Sequence, residues 1–400
     1  MGSRLSRPSD SSPISSTPHL PFDIYLEVLS HLGASSAEDR KTLLALSLCC
    51  RTLRDASQKI LFSNIRCDHP GPATNPDNLT RTLKFHSKFL RAIVESPDRL
   101  APYVVSYSQH ALGLDPKLRP TGKVLSLSRK KERMQLWSLT EAALPSMRSL
   151  KNLYFTAAVH HPSAPTILQK CTFQLGSFTW MGVGSEETLY STFLPTQREL
   201  LHLDINSDSS NNKPVLPDEL CLSLTSVACS LSDLARISAE RPIMALHVAS
   251  STADVVRPPR VDLMDAAERD AYLAALGRIK YLRLSTLPQF QRFTSGIKLH
   301  GVTLLELRVW QAEDTTFLAQ FPVLRSLRLW DHYPTEVNSS IRWDTAHRAF
   351  AQCPKLVNVL IIAGEAASGF AWQFSARDGG DIDENMVVVD DRIDSVWWII

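Results

Sequence analysis

The sequence predicts an α/β chain in two parts: a small three-helix module near the amino terminus, then an irregular array of short parallel strands joined by return segments. Three observations carry this expectation. Apolar residues recur at helical spacing between Leu20 and Leu32, and an apolar triplet at relative positions one, four and six recurs along most of the remaining chain. The third is the count of 55 leucines in 400 residues, about 14%, above the background share of even a common residue. A chain of this length suits two or three domains and buries a large core without staples. With 43 Lys+Arg against 41 Asp+Glu the net charge is +2, which excludes reliance on a general basic field, so no nucleic acid is expected as a partner. A local basic patch survives such averaging. No uncharged apolar run approaches 18 residues, so no transmembrane segment is expected.

Residues 1–17 are rich in serine and proline and read as a disordered leader without the apolar centre of a signal peptide. The start Met1-Gly2-Ser3-Arg4-Leu5-Ser6 fits the short pattern for myristoylation at Gly2, although a plain tail accounts for it equally well. Leu20, Ile24, Val28, Leu29 and Leu32 then mark one face of a helix that opens at Pro21 and stops at Gly33. Ser35-Ser36-Ala37-Glu38 offers a capping box, and Leu43, Leu44, Leu46, Leu48 and Leu53, followed by Ile60, Leu61 and Phe62, mark two more helices. Residues 18–65 form a marginal unit alone, so some of this apolar surface is expected to pack on a neighbour or a partner. Seven cysteines, with no CxxC pair and with Cys49 next to Cys50, read as reduced thiols of an intracellular protein. Nothing separates cytoplasm from nucleus, the basic run Arg129-Lys130-Lys131 being short.

These residues carry a resemblance. Leu20-Pro21-x-Asp23-Ile24-x-x-x-Val28-Leu29-x-x-Leu32, with Leu43 to Leu48, Cys49-Cys50-Arg51, Leu53 and Ile60-Leu61-Phe62, resembles an F-box. The family often has Trp where Leu53 stands, and the loop from Gly33 to Lys41 is somewhat long. The resemblance implies docking on a Skp-type adaptor and, through it, on a cullin-based ubiquitin ligase. Leu20, Pro21, Ile24, Val28 and Leu29 would present the docking surface of the first helix, and Leu46, Cys50 and Arg51 would extend it.

The triplet occurs at Leu150/Leu153/Phe155, Leu175/Phe178/Trp180, Leu200/Leu203/Ile205, Leu224/Val227/Cys229 and Ile243/Leu246/Val248. It resumes at Ile279/Leu282/Leu284, Leu304/Leu307/Val309, Leu324/Leu327/Leu329 and Leu356/Val359/Ile361, with weaker copies at Leu100/Tyr103/Val105 and Ile393/Val396/Trp398. Each copy predicts a short strand with alternate side chains turned inward, covered by its own return segment. Pro145, Pro242, Pro322 and Pro354 mark the ends of return segments, because the residue before proline resists helix. The stretch from Ala266 to Leu276 reads as a helical insertion after the Pro258-Pro259 loop. The pattern is similar to leucine-rich repeats, without their asparagine ladder. The whole is similar to the F-box proteins with degenerate leucine-rich repeats that are numerous in fungi. Residues 66–145 are then a connecting region with a first repeat, and 146–400 a leucine-rich-repeat-like solenoid with a curved parallel sheet.

Side chains between the second and third apolar positions should face the concave surface that such solenoids use for binding. There Arg283, Arg308 and Arg328 fall in successive repeats, with Tyr281, Trp310 and Trp330 on the same face and Glu306 able to neutralise part of the charge. Arginine forks bind carboxylate and phosphate, so this row is a candidate patch for an acidic or phosphorylated segment of a target protein. Charged side chains kept for solubility are the alternative. His202, Asp204 and His247 read as exposed polar residues lacking a fourth partner for a metal.

No P-loop, GxSxG or HExxH occurs, and Gly182-Val183-Gly184 lacks a third glycine. Asp381-Ile382-Asp383-Glu384-Asn385 imitates a calcium loop but has Met386 and Arg392 where glycine and glutamate are needed, so it reads as a solvated acidic loop. No catalytic residue, metal or cofactor is expected. The expected role is a substrate-recognition adaptor whose chemistry comes from partner subunits, the alternative being a scaffold that works outside a ligase.

Overall fold

The computed structural model describes residues 21–33, 37–65, 76–109, 127–157, 166–182, 188–206, 216–229, 231–238, 240–248, 265–285, 287–294, 297–310, 312–331, 339–363, 370–376 and 382–388. The leader, Leu20, the serines of the capping box and the weak copy at Ile393/Val396/Trp398 lie outside them. The chain divides into two compact units, residues 1–64 and 65–400.

In the first unit, helix α1 spans Phe22–Ser30, α2 Ala37–Cys49 and α3 Arg51–Ser63. Pro21 sits in an extended conformation just ahead of α1, where its missing N–H costs nothing, and its carbonyl accepts from Ile24 N at 3.0 Å. The Gly33 N–H donates to Asp39 Oδ2 at 3.0 Å, holding the turn against the first turn of α2. Cys50 breaks α2 from α3 in an extended conformation, and its carbonyl accepts from Arg54 N at 2.9 Å. Leu29 and Leu43 are buried.

The second unit is built on one sheet, in which the thirteen strands among the described residues follow one another in chain order. They are β1 (Asn64–Ile65), β2 (Ser106–Gln109), β3 (Asn152–Ala157), β4 (Ser177–Gly182), β5 (His202–Asn206), β6 (Ser226–Cys229), β7 (Ala245–Val248), β8 (Tyr281–Leu284), β9 (Leu304–Leu307), β10 (Ser326–Asp331), β11 (Asn358–Ala363), β12 (Phe370–Ala376) and β13 (Ile382–Val388). From β2 to β11 every neighbouring pair is parallel, the arrangement expected of a leucine-rich-repeat-like array. The return segments include α4 (Pro76–Glu95), α5 (Leu127–Ala143) and the helices Ala266–Arg278 and Ser339–Gln352. They cover one face of the sheet: Phe89 of α4 stacks on Tyr107, Trp137 of α5 meets Phe155 edge-on, and Trp343 does the same to Phe374.

A backbone ladder takes the place of the missing asparagines. The carbonyl just ahead of each strand from β2 to β10 accepts two successive N–H groups from the next repeat. Val105 O accepts from Lys151 and Asn152, Lys151 O from Gly176 and Ser177, and Lys280 O from Thr303 and Leu304. The series reaches Arg325 O, which accepts from Val357 and Asn358. Buried Gln197 adds a side-chain rung, accepting from Leu175 N at 2.9 Å and donating to Phe173 O at 3.2 Å.

This ladder corrects the expected register in two places. Leu304/Leu307/Val309 is not the inward triplet: Thr303 takes the ladder position, so Val302, Leu305 and Leu307 point inward and are buried while Val309 is exposed. At the start, the inward triplet is Val104, Tyr107 and Gln109 and not Leu100/Tyr103/Val105: Leu100 is buried but in the helix ahead of the strand, Tyr103 is half-buried and Val105 is exposed. Gln109 is tolerated inside because its Nε2 donates to the Tyr107 hydroxyl at 3.0 Å. The sheet is also not parallel throughout, since β12 pairs antiparallel with both β11 and β13. Ile382 to Asn385 therefore lie in a strand and not in a solvated loop. Glu384 there accepts from Trp343 Nε1 at 2.7 Å and pairs with Arg342 at 3.9 Å.

Candidate interaction surfaces

Two places in the chain expose or concentrate groups beyond what the core needs. The first is on α1 and α2. Phe22, Ile24, Tyr25, Leu26 and Val28 of α1 are all exposed, Val28 to 57%, as are Leu44 and Leu48 of α2. A nine-residue helix with five exposed large apolar residues is unusual for a surface that only meets water. Pro21, Cys50 and Arg51 are exposed and Leu46 is half-buried.

The second lies on the sheet face opposite the helices. Strand pairing aligns Asp204, Ala228, His247, Arg283, Glu306, Arg328 and Leu360 in one row, and His202, Ser226, Ala245, Tyr281, Leu304 and Ser326 in the next. Glu306, 1% exposed, is the hub. Its Oε1 lies 3.0 Å from Arg283 Nε and 3.5 Å from Arg308 Nε and accepts from Trp330 Nε1 at 2.9 Å, while its Oε2 accepts from the Tyr281 hydroxyl. The Arg308 guanidinium also stacks on the Trp330 ring at 4.1 Å. Burial, with the Glu306 carboxylate second, pushes the Tyr281 phenol well above its usual range, so it stays a donor. His202 and His247 hydrogen-bond Ser226 and Ser285, each at 3.0 Å. Burial and then the charge of Arg283 push both imidazoles down to about 3, so both are neutral.

The comparisons bear on the first of these places. Residues 18–63 match the F-box domain. No curated protein matched the chain. Within the F-box, Pro21, Ile24, Val28, Cys50 and Arg51 are accessible, whereas Leu29 is buried, because it falls on the inward side of α1 beside Val28 on the outward side. Leu29 is thus a core residue of the F-box and not part of its presented surface. F-box domains generally serve as adaptors that bring substrates to ligases of the SCF type through a Skp-type subunit.

Downstream of the F-box the expected row of three exposed arginines does not exist. Arg308 follows β9 and does not share the row, because the register shift puts Glu306 between Arg283 and Arg328. Tyr281, Arg283 and Trp330 are buried, the hydroxyl and the indole donating to Glu306 and the guanidinium paired with it. Arg308, Arg328 and Trp310 remain partly accessible. His202 and Asp204 are buried too, contrary to the expected exposed placement. Among the described residues no group of three His, Cys, Asp or Glu side chains is placed to hold a metal ion, and no helix is long and apolar enough to cross a membrane.

Sequence reading undervalued Glu306 and missed Arg241. The latter is buried and donates from Nη1 to Ile237 O at 2.7 Å and from Nε to Leu220 O at 3.0 Å, with Nη2 reaching Pro217 O as well. A lone arginine between a short helix and a strand carries no pattern in sequence. Only the convergence of three carbonyls identifies it.

Proposed function

We propose that the chain is the substrate-recognition subunit of a cullin-based ubiquitin ligase. The F-box docks on a Skp-type adaptor, and the repeat array holds the target protein on the sheet face opposite the helices. The supporting observation is the F-box match over residues 18–63 together with the exposed apolar face of α1 around Ile24 and Val28. Pro21 immediately precedes that helix, Cys50 and Arg51 are exposed at the junction of α2 and α3, and Leu20 belongs to the same motif, outside the described residues. Holding a target near a loaded ubiquitin carrier raises its effective concentration at the transfer centre, so the chain needs no acid, base or nucleophile of its own. Partners supply the chemistry.

Co-purification of the full chain with a Skp-type adaptor tests this reading. Wild type should bring the adaptor down. Ile24→Asp and Val28→Asp should each abolish that while leaving the helix content unchanged, because both side chains already face water. Leu29→Asp should instead unfold the head. Failure of wild type to bind would leave a scaffold that acts outside a ligase.

A further inference from the structure

The hub at Glu306 leaves one arginine over. Arg328 stands directly opposite Glu306 in strand register, yet both Glu306 oxygens are taken by Arg283, Arg308, Trp330 and Tyr281. Half-buried Arg328 has no ion-pair partner among the described residues. On its other side the row continues as Leu360, and beyond Trp330 the same face becomes apolar, with Ile362, Ala371, Leu360 and Val387 packed together. A guanidinium that is partly desolvated and lacks a counter-charge is costly unless an anion meets it, and its planar fork suits a carboxylate in two-point contact.

We propose that Arg328 is an anion-docking residue for the target, taking the side-chain carboxylate of an acidic segment, with Leu360 and Val387 receiving an apolar side chain next to it. The inference rests on the reading of this sheet face as target-binding. A single carboxylate is the matching occupant because one guanidinium is without a partner. A phosphomonoester carries about −1.5 to −2 at neutral pH and calls for a cluster of free donors. Glu306 has a positioning role, since by holding Arg283 and Arg308 it keeps them from folding over the site.

The test uses the full chain by itself and fluorescent dodecapeptide pools with randomised flanks around a fixed Glu-x-Leu core. Parallel pools carry Gln or phosphoserine in place of Glu. The Glu pool should be retained at least tenfold better than the Gln pool at low salt, and the preference should shrink as sodium chloride is raised. Arg328→Gln should abolish it and Arg328→Lys should largely remove it, since lysine keeps the charge but not the fork. Arg148→Gln, at an exposed arginine elsewhere, should leave it intact. Equal retention of the Glu and Gln pools, a preference that survives Arg328→Gln or high salt, or stronger retention of the phosphoserine pool would each overturn the proposal. Adaptor co-purification of the same variants keeps the two readings apart. Its loss with the peptide preference intact counts against the ligase reading alone, and the reverse counts against Arg328 alone.

Discussion

The indole Nε1 of Trp330 donates to Oε1 of Glu306 at 2.9 Å, tying β10 to β9 across the sheet face opposite the helices. Arg283 reaches the same oxygen from β8. One carboxylate thereby links three consecutive repeats through side chains, beside the backbone ladder that links all of them. The arrangement buries charge, which is expensive, and it is tolerated because every contact to Glu306 is a donor or a cation.

Replacement of Glu306 should therefore destabilise the array strongly. Glu306→Ala strands a buried guanidinium, and a loss of about 3–5 kcal/mol is expected in urea unfolding followed by tryptophan fluorescence. Glu306→Met combined with Arg283→Met should recover a large part of it. A single Ala variant within about 1 kcal/mol of wild type would contradict the hub.

Arg241 should resist conservative change. Three carbonyls converge on its guanidinium, and a lysine ammonium on a flexible stem cannot reproduce that fork. Arg241→Lys and Arg241→Met are both expected to cost at least about 2 kcal/mol, from buried carbonyls left without donors. Thermal unfolding of the two variants against wild type measures this.

Gly301 has no room for a side chain. A Cβ there would sit 2.4 Å from the Gly277 carbonyl oxygen and 2.8 Å from that of Ile279, both backbone atoms that cannot swing aside. Gly301→Ala should cost on the order of 1–3 kcal/mol by forcing the two segments apart. Gly277→Ala, which meets nothing, should be neutral or slightly stabilising in its helix.

Acid should loosen the array before its carboxylates titrate. His202 and His247 are held near 3 in the folded chain against an ordinary value of 6.5. Between those values the unfolded chain binds protons that the folded chain does not. Their contribution is thus full above pH 6.5 and falls as pH drops below it, by up to about 1.4 kcal/mol per pH unit for each histidine. Stability measured from pH 6.5 to 5 should decline in wild type and flatten in the His202→Gln/His247→Gln double variant. Equal slopes would exclude the two histidines as the cause.

The F-box was legible because two motifs occur in order at fixed spacing, and eight of the inward triplets were legible because leucine marks them. What failed has physical reasons. Between Val302 and Val309 two triplets overlap, and only the backbone hydrogen bonds of Thr303 and Leu304 choose between them. Gln109 broke the apolar rule because its polarity is satisfied inside by Tyr107. The error at residue 302 then moved Arg308 into a row that belongs to Glu306, so a buried ion pair was mistaken for an exposed cationic ladder. A two-residue shift keeps each side chain on its face, which is why the face was right and the partners were wrong. Burial on the face expected to be open was not readable, since strand alternation gives direction but not cover.

The antiparallel hairpin of β12 and β13 has a consequence for how such a chain can change over generations. The carbonyl of Val357, which on the pattern of earlier repeats would receive the next parallel unit, accepts instead from Ala376 N at 3.3 Å. A duplicated repeat inserted after β11 would find that rung occupied and the adjoining strand running the wrong way. Gain or loss of whole repeats in descendants of this gene should accordingly fall upstream of residue 358, with the β12–β13 hairpin inherited as a unit.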